Sequence, residues 1–303
     1  MGGTTSFLGL EGELASWERA RVVILPVPYE ASVSYGGGTA RGPAAVLDAS
    51  RYVELYDQEL DAEPSAGGVC TLPPLQLSTA SPEEAISGLR ASYDQLLERA
   101  GERLVIGLGG EHSISSAPIL AHADRLTAGA RLAVLQFDAH ADLRPEYHGS
   151  PWSHASVMAR VAGRVDVVSV GVRALTTEER DFMRSNDSIT SIFADQMWSG
   201  NGWIDRVMDA LGDPVYITFD VDYFDPSLLP STGTPEPGGG DWYRTLALLR
   251  RVFGERRVVG ADVVELAPIP GLHAADFLVA KLVYKMIGYW GSEKGAGARW
   301  RVS

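Results

Sequence analysis

The sequence lacks the features that mark several other classes of protein. Its 303 residues include one cysteine, Cys70, so no intramolecular disulfide can form and the usual sulfur-rich zinc sites are excluded. No apolar run reaches the roughly 18 residues of a membrane span. Residues 1–6 are polar and lead into Glu11 and Glu13, which is unlike a secretory signal peptide. We therefore expect no membrane association and a cytoplasmic location.

Positive charge is also scarce. The 26 Lys and Arg residues face 39 Asp and Glu residues, which gives a formal net charge of −13. An acidic chain without a basic block argues against nucleic acid and anionic membranes as partners. It weakly favours a small cationic substrate. The 45% of hydrophobic and 21% of charged residues are typical of a globular protein with a sizeable core.

What the sequence does contain is a regular alternation of short apolar runs and amphipathic stretches. Nearly continuous runs such as residues 22–25 predict strands buried on both faces, as in a parallel sheet. We predict a single α/β domain over residues 1–303, a doubly wound, mostly parallel sheet with helices on both faces. Thr176 and Asp241 are candidate helix N-caps, and residues 61–81 form the one long irregular connection. The predicted strands are 21–26, 104–108, 132–137, 165–170, 190–193, 215–221 and 257–264, and the predicted helices are 42–56, 82–100, 116–125, 177–185, 204–211, 242–253 and 274–288.

Three predicted strands lead directly into short segments that contain aspartate or histidine. Residues 104–108 lead into Gly-Gly-Glu-His-Ser, residues 132–137 into Asp-Ala-His-Ala-Asp, and residues 215–219 into Asp-Val-Asp. Residues at i, i+2 and i+4 of an extended chain point to one side, so Asp138, His140 and Asp142 are expected to converge. Function gathers at the carboxyl ends of strands in such sheets. The candidate metal ligands are His112, Asp138, His140, Asp142, Asp220 and Asp222.

The charge of these candidates favours a metal site with two ions. Four buried aspartates without counter-charges would be very costly, and two divalent cations would balance them. Carboxylate and imidazole ligands without thiolate suit Mn²⁺, with cobalt, nickel or zinc as substitutes. Two such ions lower the pKa of a shared water and provide a nucleophile near neutral pH. Any one of the three segments alone would more often cap a helix, but the three together favour metal.

These three segments resemble the signatures of the ureohydrolases, the arginase and agmatinase family. The resemblance covers about residues 22–288 and is strongest to the pattern of bacterial and archaeal agmatinases. It implies an arginase-like sheet, two Mn²⁺ per chain, hydrolysis of guanidino compounds to urea, and a homotrimer or homohexamer. It also implies that Asp138 and Asp220 bridge the ions. One ion would bind His112, Asp138, Asp142 and Asp220, and the other Asp138, His140, Asp220 and Asp222.

Two further positions match this family. His154 falls where the family places a histidine that carries protons to the departing amine, although a helix-start histidine could instead face solvent. Glu265 falls where the family holds the guanidinium of the substrate, although a glutamate after a strand could pair with a surface lysine. The predicted catalytic residues are therefore His154, Asp142 and Glu265.

The segment before His154 suggests which chemical group the substrate carries at the end opposite its guanidinium. Residues 143–153 resemble agmatinases rather than arginases, which bind an amino-acid head group through Asn and Ser. We expect Glu146 or Tyr147 to hold a terminal ammonium, and Arg144 to point away from the pocket. The expected reaction is agmatine to putrescine and urea, as in polyamine biosynthesis. If Arg144 faced the pocket, guanidinobutyrate or guanidinopropionate would suit it, and arginine is a further alternative.

Two hypotheses outside this enzyme class would require different residues from those in the sequence. A non-catalytic metal-binding paralogue would be favoured by a missing ligand, and none of the six is missing. A two-metal phosphoesterase would need Arg or Lys beside the ligands to bind phosphate, and the flanking residues Gly110, Ala139, Ala141 and Val221 offer neither.

Overall fold

Eight apolar segments form one parallel sheet in the computed structural model, which describes residues 6–200 and 202–292. All pairings between its strands are parallel, and the spatial order is β2-β1-β3-β8-β7-β4-β5-β6. This confirms the predicted fold class. The strands are β1 (Val22–Val27), β2 (Val69–Thr71), β3 (Leu104–Gly109), β4 (Ala133–Phe137), β5 (Asp166–Val172), β6 (Ile189–Phe193), β7 (Val215–Asp220) and β8 (Val258–Val264).

Two of the predicted helices begin at a side chain that caps them. Thr176 accepts a hydrogen bond from the Glu179 backbone, and Asp241 accepts one from the Arg244 backbone, so both predicted caps are confirmed. The helices are α1 (Gly42–Ser50), α2 (Pro82–Ala100), α3 (Ser116–Ala123), α4 (Val157–Val161), α5 (Thr177–Ser185), α6 (Ala194–Trp198), α7 (Gly202–Ala210), α8 (Trp242–Glu255) and α9 (His273–Gly291).

Helices cover both faces of the sheet, because successive strand residues point to opposite sides. On β1, Val22 and Ile24 pack into the apolar cluster that contains residues of α1, α8 and α9. Val23, between them, packs instead with Ile86 and Leu89 of α2. The sheet is therefore buried on both sides, as its nearly continuous apolar runs predicted.

Several predicted boundaries are wrong. The connection 61–81 contains β2, a three-residue strand too short to show a period, and α1 ends at Ser50 rather than near residue 56. The short helices α4 and α6 were not predicted. The single domain predicted over 1–303 includes residues 1–5, 201 and 293–303, which lie outside the described residues, as does most of the polar amino terminus. No helix among the described residues is long and apolar enough to cross a membrane.

The strand order brings the predicted site residues to the middle of the sheet. Strands β3, β8, β7 and β4 are neighbours, although β3 and β8 are about 150 residues apart in the chain. His112 follows β3, Glu265 follows β8, Asp220 ends β7, and Asp138 follows β4. Because parallel strands end at the same edge, these four positions lie side by side.

A glycine next to this edge allows three chain segments to approach closely. The Gly110 amide donates to the Val27 carbonyl at 2.9 Å, and its carbonyl accepts from the Glu265 amide at 2.8 Å. A Cβ atom on Gly110 would lie 2.0 Å from the Tyr29 carbonyl oxygen. No side chain fits there without moving the backbone that carries His112.

We predict opposite effects for the same substitution at two glycines. Gly110→Ala should lower the free energy of unfolding by about 1–3 kcal/mol or more, because the new methyl group overlaps backbone. Gly88→Ala, in the exposed middle of α2 where a Cβ atom meets nothing within 4 Å, should raise it by about 0.5–1 kcal/mol. Urea denaturation of both variants checks this, and equal stabilities would contradict the close approach at Gly110.

Candidate metal centre and active-site cavity

The six predicted ligands lie together in the structure, in two groups that share Asp138. In the first group, His112 Nδ1 lies 3.1 Å from Asp138 Oδ2, 2.9 Å from Asp142 Oδ2 and 3.5 Å from Asp220 Oδ2. In the second, His140 Nδ1 lies 2.8 Å from Asp222 Oδ2 and 3.7 Å from Asp138 Oδ1. The two oxygens of Asp138 thus face different histidines. This arrangement offers two neighbouring positions for cations.

These side chains meet, but not by the extended spacing expected from the sequence. Strand β4 ends at Phe137, and Asp142 adopts a left-handed backbone with φ of 53°. Asp222 lies in a 3₁₀ turn, Val221–Tyr223, after β7. Left-handed backbone in a residue other than glycine is strained and is found preferentially at functional sites. Turns therefore direct the carboxylates, and the prediction of strand alternation at Asp138–Asp142 is wrong.

A buried hydroxyl group fixes the tautomer of His112. Thr218 Oγ1 donates to Asp262 Oδ1 at 2.7 Å, so its oxygen accepts the proton of His112 Nε2 at 2.9 Å. Nδ1 of a neutral His112 then carries a lone pair, and this buried atom has no hydrogen-bond partner among the residues that the structure describes. A lone pair that faces three carboxylate oxygens is repelled unless a cation lies between them. The donor set therefore fits a metal ion.

The acid–base properties of the cluster show the same need for positive charge. Burial raises the pKa of Asp220 well above its usual value, and the neighbouring Asp222 and Asp138 raise it further. Burial and then Asp138 raise the pKa of Asp142 to about 7. Burial opposes a charge on His140, but Asp222 and Asp138 outweigh it and raise its pKa to about 12. Protons are held where cations would bind, so metal binding must displace protons and strengthen as the pH rises.

His154 is held through both ring nitrogens by the loop that follows β1. Ser32 Oγ lies 2.8 Å from Nδ1, and Ser34 Oγ lies 2.8 Å from Nε2. Glu111, which is buried beside His112, accepts hydrogen bonds from the Ala31 amide and from both the amide and the hydroxyl group of Ser32. His154 is therefore a fixed side chain at the cavity, not a solvated helix-start residue.

The same contacts indicate where the protons of His154 lie. Ser32 donates its hydroxyl proton to Glu111, so its oxygen accepts from Nδ1–H, and a neutral ring then has its lone pair on Nε2. Ser34 lies near Nε2 and donates its own hydroxyl proton to the Tyr147 hydroxyl group at 3.2 Å. Burial, and then the electrostatic effect of His112 and His140, lower the pKa of His154 to about 4. The ring is thus neutral near pH 7 and presents a proton acceptor to the cavity.

Glu265 lies at the cavity wall on a left-handed backbone with φ of 66°. Its Oε1 accepts from the His112 amide at 2.6 Å, while its other oxygen accepts no hydrogen bond from the described residues. Burial, and then the nearby Glu111, raise the pKa of Glu265 well above its usual value. The side chain therefore lies next to the candidate metal ligands, and one of its oxygens is free among the described residues.

The cavity above the cluster has a volume of about 320 Å³. Tyr147 lines it, as predicted, but Glu146 is exposed and does not. Arg144 does line it, with its Nε 3.8 Å from Glu179 Oε2 and its guanidinium carbon 5.0 Å from the Tyr147 ring. The expectation that Arg144 points away is therefore wrong. Because Arg144 follows the turn at Asp142, its direction depends on a backbone that the sequence does not reveal.

Sequence reasoning missed several residues that organise the site. Two of them could have been found from the sequence. Asp262 is an aspartate within the apolar run of β8, and Glu111 is next to the predicted ligand His112. No sequence feature indicates a role for Ser32, Ser34 or Thr218, because serine and threonine are common in loops and strands. Their role depends on contacts between segments that are distant in the chain.

The sequence profile of the Arginase family matches residues 20–288. The chain belongs to the Arginase family. It is 41% identical over 284 residues to the N(1)-aminopropylagmatine ureohydrolase of Thermus thermophilus, covering 93% of this chain and 94% of the relative. It is 37% identical over 297 residues to the enzyme of that name from Synechocystis, covering 96% of each.

Solved structures agree with this assignment. The agmatine ureohydrolase of Thermoplasma volcanium matches with a TM-score of 0.82 and 25% identity, over 96% of this chain and 95% of that chain. This Arginase-family member is therefore a ureohydrolase of the agmatinase type, a hydrolase that acts on guanidino groups.

We predict that Thr218→Val weakens Mn²⁺ binding by about 10–100-fold, because the nearly isosteric variant no longer orients His112. Thr245→Val removes another buried hydroxyl group, on α8, and should leave the affinity unchanged. Titration calorimetry of both variants, at about pH 6 and pH 8, measures this effect and the expected strengthening with pH. Equal affinities for the two variants would rule out a positioning role for Thr218.

Proposed function

We propose that this ureohydrolase hydrolyses a guanidino group on a cationic amine tail, with N(1)-aminopropylagmatine as its best substrate and agmatine as the shorter alternative. The relatives at 37% and 41% identity carry the name of the longer substrate. The sequence alone had suggested agmatine, which the solved neighbour from Thermoplasma volcanium is named for. The products are urea and the corresponding polyamine.

The observation that supports hydrolysis most strongly is the cation-deficient cluster beside a free carboxylate oxygen and a neutral histidine. We propose two Mn²⁺ ions, one held by His112, Asp138, Asp142 and Asp220, the other by Asp138, His140, Asp220 and Asp222. When bound, the ions supply Lewis acidity and lower the pKa of water. The unpaired Nδ1 of His112 and the two-sided position of Asp138 support this assignment.

Glu265 would orient the guanidinium of the substrate. Its free oxygen can accept from a guanidinium N–H, while the bond from the His112 amide keeps the carboxylate in place. The substrate carbon is thereby held next to the metal ligands. Orientation of this kind increases the rate because the entropy cost of aligning the reacting atoms is met when the substrate binds.

His154 would supply the proton that the departing amine needs. The lone pair on its Nε2 faces the cavity-lining Ser34, so the ring can take a proton during attack and pass it to the amine. Ser32 and Glu111 hold the opposite side of the ring and stabilise its charged form while it carries that proton. The histidine thus moves protons without changing position.

One observation favours a second class of substrate, guanidino compounds with a carboxylate tail. Arg144 lines the cavity, and an arginine there could bind the carboxylate of 4-guanidinobutyrate or 3-guanidinopropionate. However, the buried Glu179 lies 3.8 Å from Arg144 and offsets its charge. We therefore expect the amine-tailed compounds to be preferred. The two candidate substrate classes can be distinguished by the ratio of their kcat/KM values.

We predict that His154→Asn lowers kcat by about 10²-fold or more, the range expected for loss of a general acid or base. The bound Mn²⁺ per chain, measured by elemental analysis, should not change, because His154 is not a proposed ligand. An unchanged kcat would show that His154 carries no proton in the reaction.

The substrate proposal is tested by urea release from N(1)-aminopropylagmatine, agmatine, arginine, 4-guanidinobutyrate and 3-guanidinopropionate with added Mn²⁺. The amine-tailed compounds should exceed the carboxylates by about 10²-fold in kcat/KM, since an added carboxylate would lie beside an acidic cluster. A preference for guanidinobutyrate that is lost in Arg144→Ala would establish the second candidate instead.

A further inference from the structure

One of the carboxylates that line the cavity forms no hydrogen bond and no ion pair within the described part of the chain, although the charge of the Arg173 guanidinium interacts with it. Asp142, Asp220, Asp222 and Glu265 belong to the cluster described above. Glu179 accepts hydrogen bonds from the Leu143 and Thr176 amides and lies near Arg144. Among the described residues, the carboxylate of Glu236 accepts no hydrogen bond and has no ion pair within 4 Å. It is a half-buried negative charge that faces the cavity.

The backbone at Glu236 is nevertheless firmly fixed. Arg173 Nε and Nη2 donate to the Glu236 carbonyl at 3.2 Å and 2.7 Å, and Nη2 also donates to the Asp222 carbonyl at 2.8 Å. Nη1 donates to the carbonyls of Gly171 and Tyr223, and Nη2 also lies 3.4 Å from the Phe224 carbonyl. One guanidinium group thus ties Glu236 to a metal ligand, yet offers no N–H to the Glu236 side chain.

An exposed aromatic ring lies on a loop joined to the Glu236 loop. Tyr35 lines the cavity, although 86% of the residue is accessible to solvent. The amide of the next residue, Gly36, donates to the Gly233 carbonyl at 3.1 Å. Glu30 holds the same loop by accepting from the Gly38 and Ala40 amides. Because this loop is anchored at Glu30 and Gly233, the exposed ring of Tyr35 lies at the rim of the cavity, where a ligand can contact its face.

We propose that Glu236 and Tyr35 form an outer subsite for the terminal ammonium of a polyamine tail longer than that of agmatine. The inference rests on the proposed function, since it assigns residues to the far end of the proposed substrate. The carboxylate attracts the ammonium, and the ring face attracts both its charge and the methylene chain. Glu179 cannot serve in this way because its oxygens are already engaged.

The test compares Glu236→Gln with Glu178→Gln, which removes the same charge from an exposed position on α5 outside the cavity. In Glu236→Gln, kcat/KM for N(1)-aminopropylagmatine should fall about tenfold through KM, while the value for agmatine changes less than about twofold. Glu178→Gln should leave both values unchanged. The selectivity ratio between the two substrates is the deciding quantity.

The ring is tested in the same assay. Tyr35→Ala should reduce the preference for the longer substrate, and Tyr35→Phe should keep it because the ring face is retained. Tyr243→Ala removes another exposed tyrosine, on α8 outside this cavity, and serves as the control.

The outcomes separate the two proposals. Equal losses for both substrates in Glu236→Gln, or no loss for either, would overturn the outer subsite while the proposed function stands. A wild-type enzyme that releases urea from neither amine-tailed compound would overturn the proposed function, and the subsite with it.

Discussion

Four buried aspartates at the edge of a parallel sheet impose the constraint on which this structure depends. Asp138, Asp142, Asp220 and Asp222 are each at most 5% exposed, and no Lys or Arg among the described residues pairs with their side chains. Charges buried in this way are tolerated only with counter-charges. The strand order, the turns after the strands and the histidine tautomers all serve to gather these carboxylates around positions for cations. A fold without cations there would have to hold protons instead.

The same device orients two histidines with different roles. Asp262 accepts from Thr218, which accepts from His112, and Glu111 accepts from Ser32, which accepts from His154. In each case a buried carboxylate fixes the direction of a hydroxyl group, and the hydroxyl group fixes which ring nitrogen carries the proton. Both rings then turn an unprotonated nitrogen toward the reaction space. In each case the hydroxyl group lies between the carboxylate and the imidazole ring. The carboxylate therefore sets the tautomer of the ring without competing for the metal.

The sequence predicted the sheet, most helix boundaries and the meeting of six ligands, because apolar runs and the polar residues after them are local patterns. Strand β2 was missed because three residues show no period. The directions of Arg144 and Glu146 were wrong because Asp142 turns the chain through a left-handed conformation, which no side-chain pattern reveals in a residue other than glycine. Ser32 could not be found because its significance comes from loops that meet only in the folded protein.

Strand β8 lies between β3 and β7, although it is the last strand in the sequence of the described residues. During synthesis, a nascent chain that ends before Val258 can pair its other strands but leaves the facing edges of β3 and β7 open. The sheet then consists of two parts with exposed central edges, which are prone to pair with other chains. Strand β8 pairs with both β3 and β7, and Glu265 follows it directly. A chain that ends before Val258 would therefore lack Glu265 and leave the facing edges of β3 and β7 unpaired, so it would be inactive and prone to aggregate.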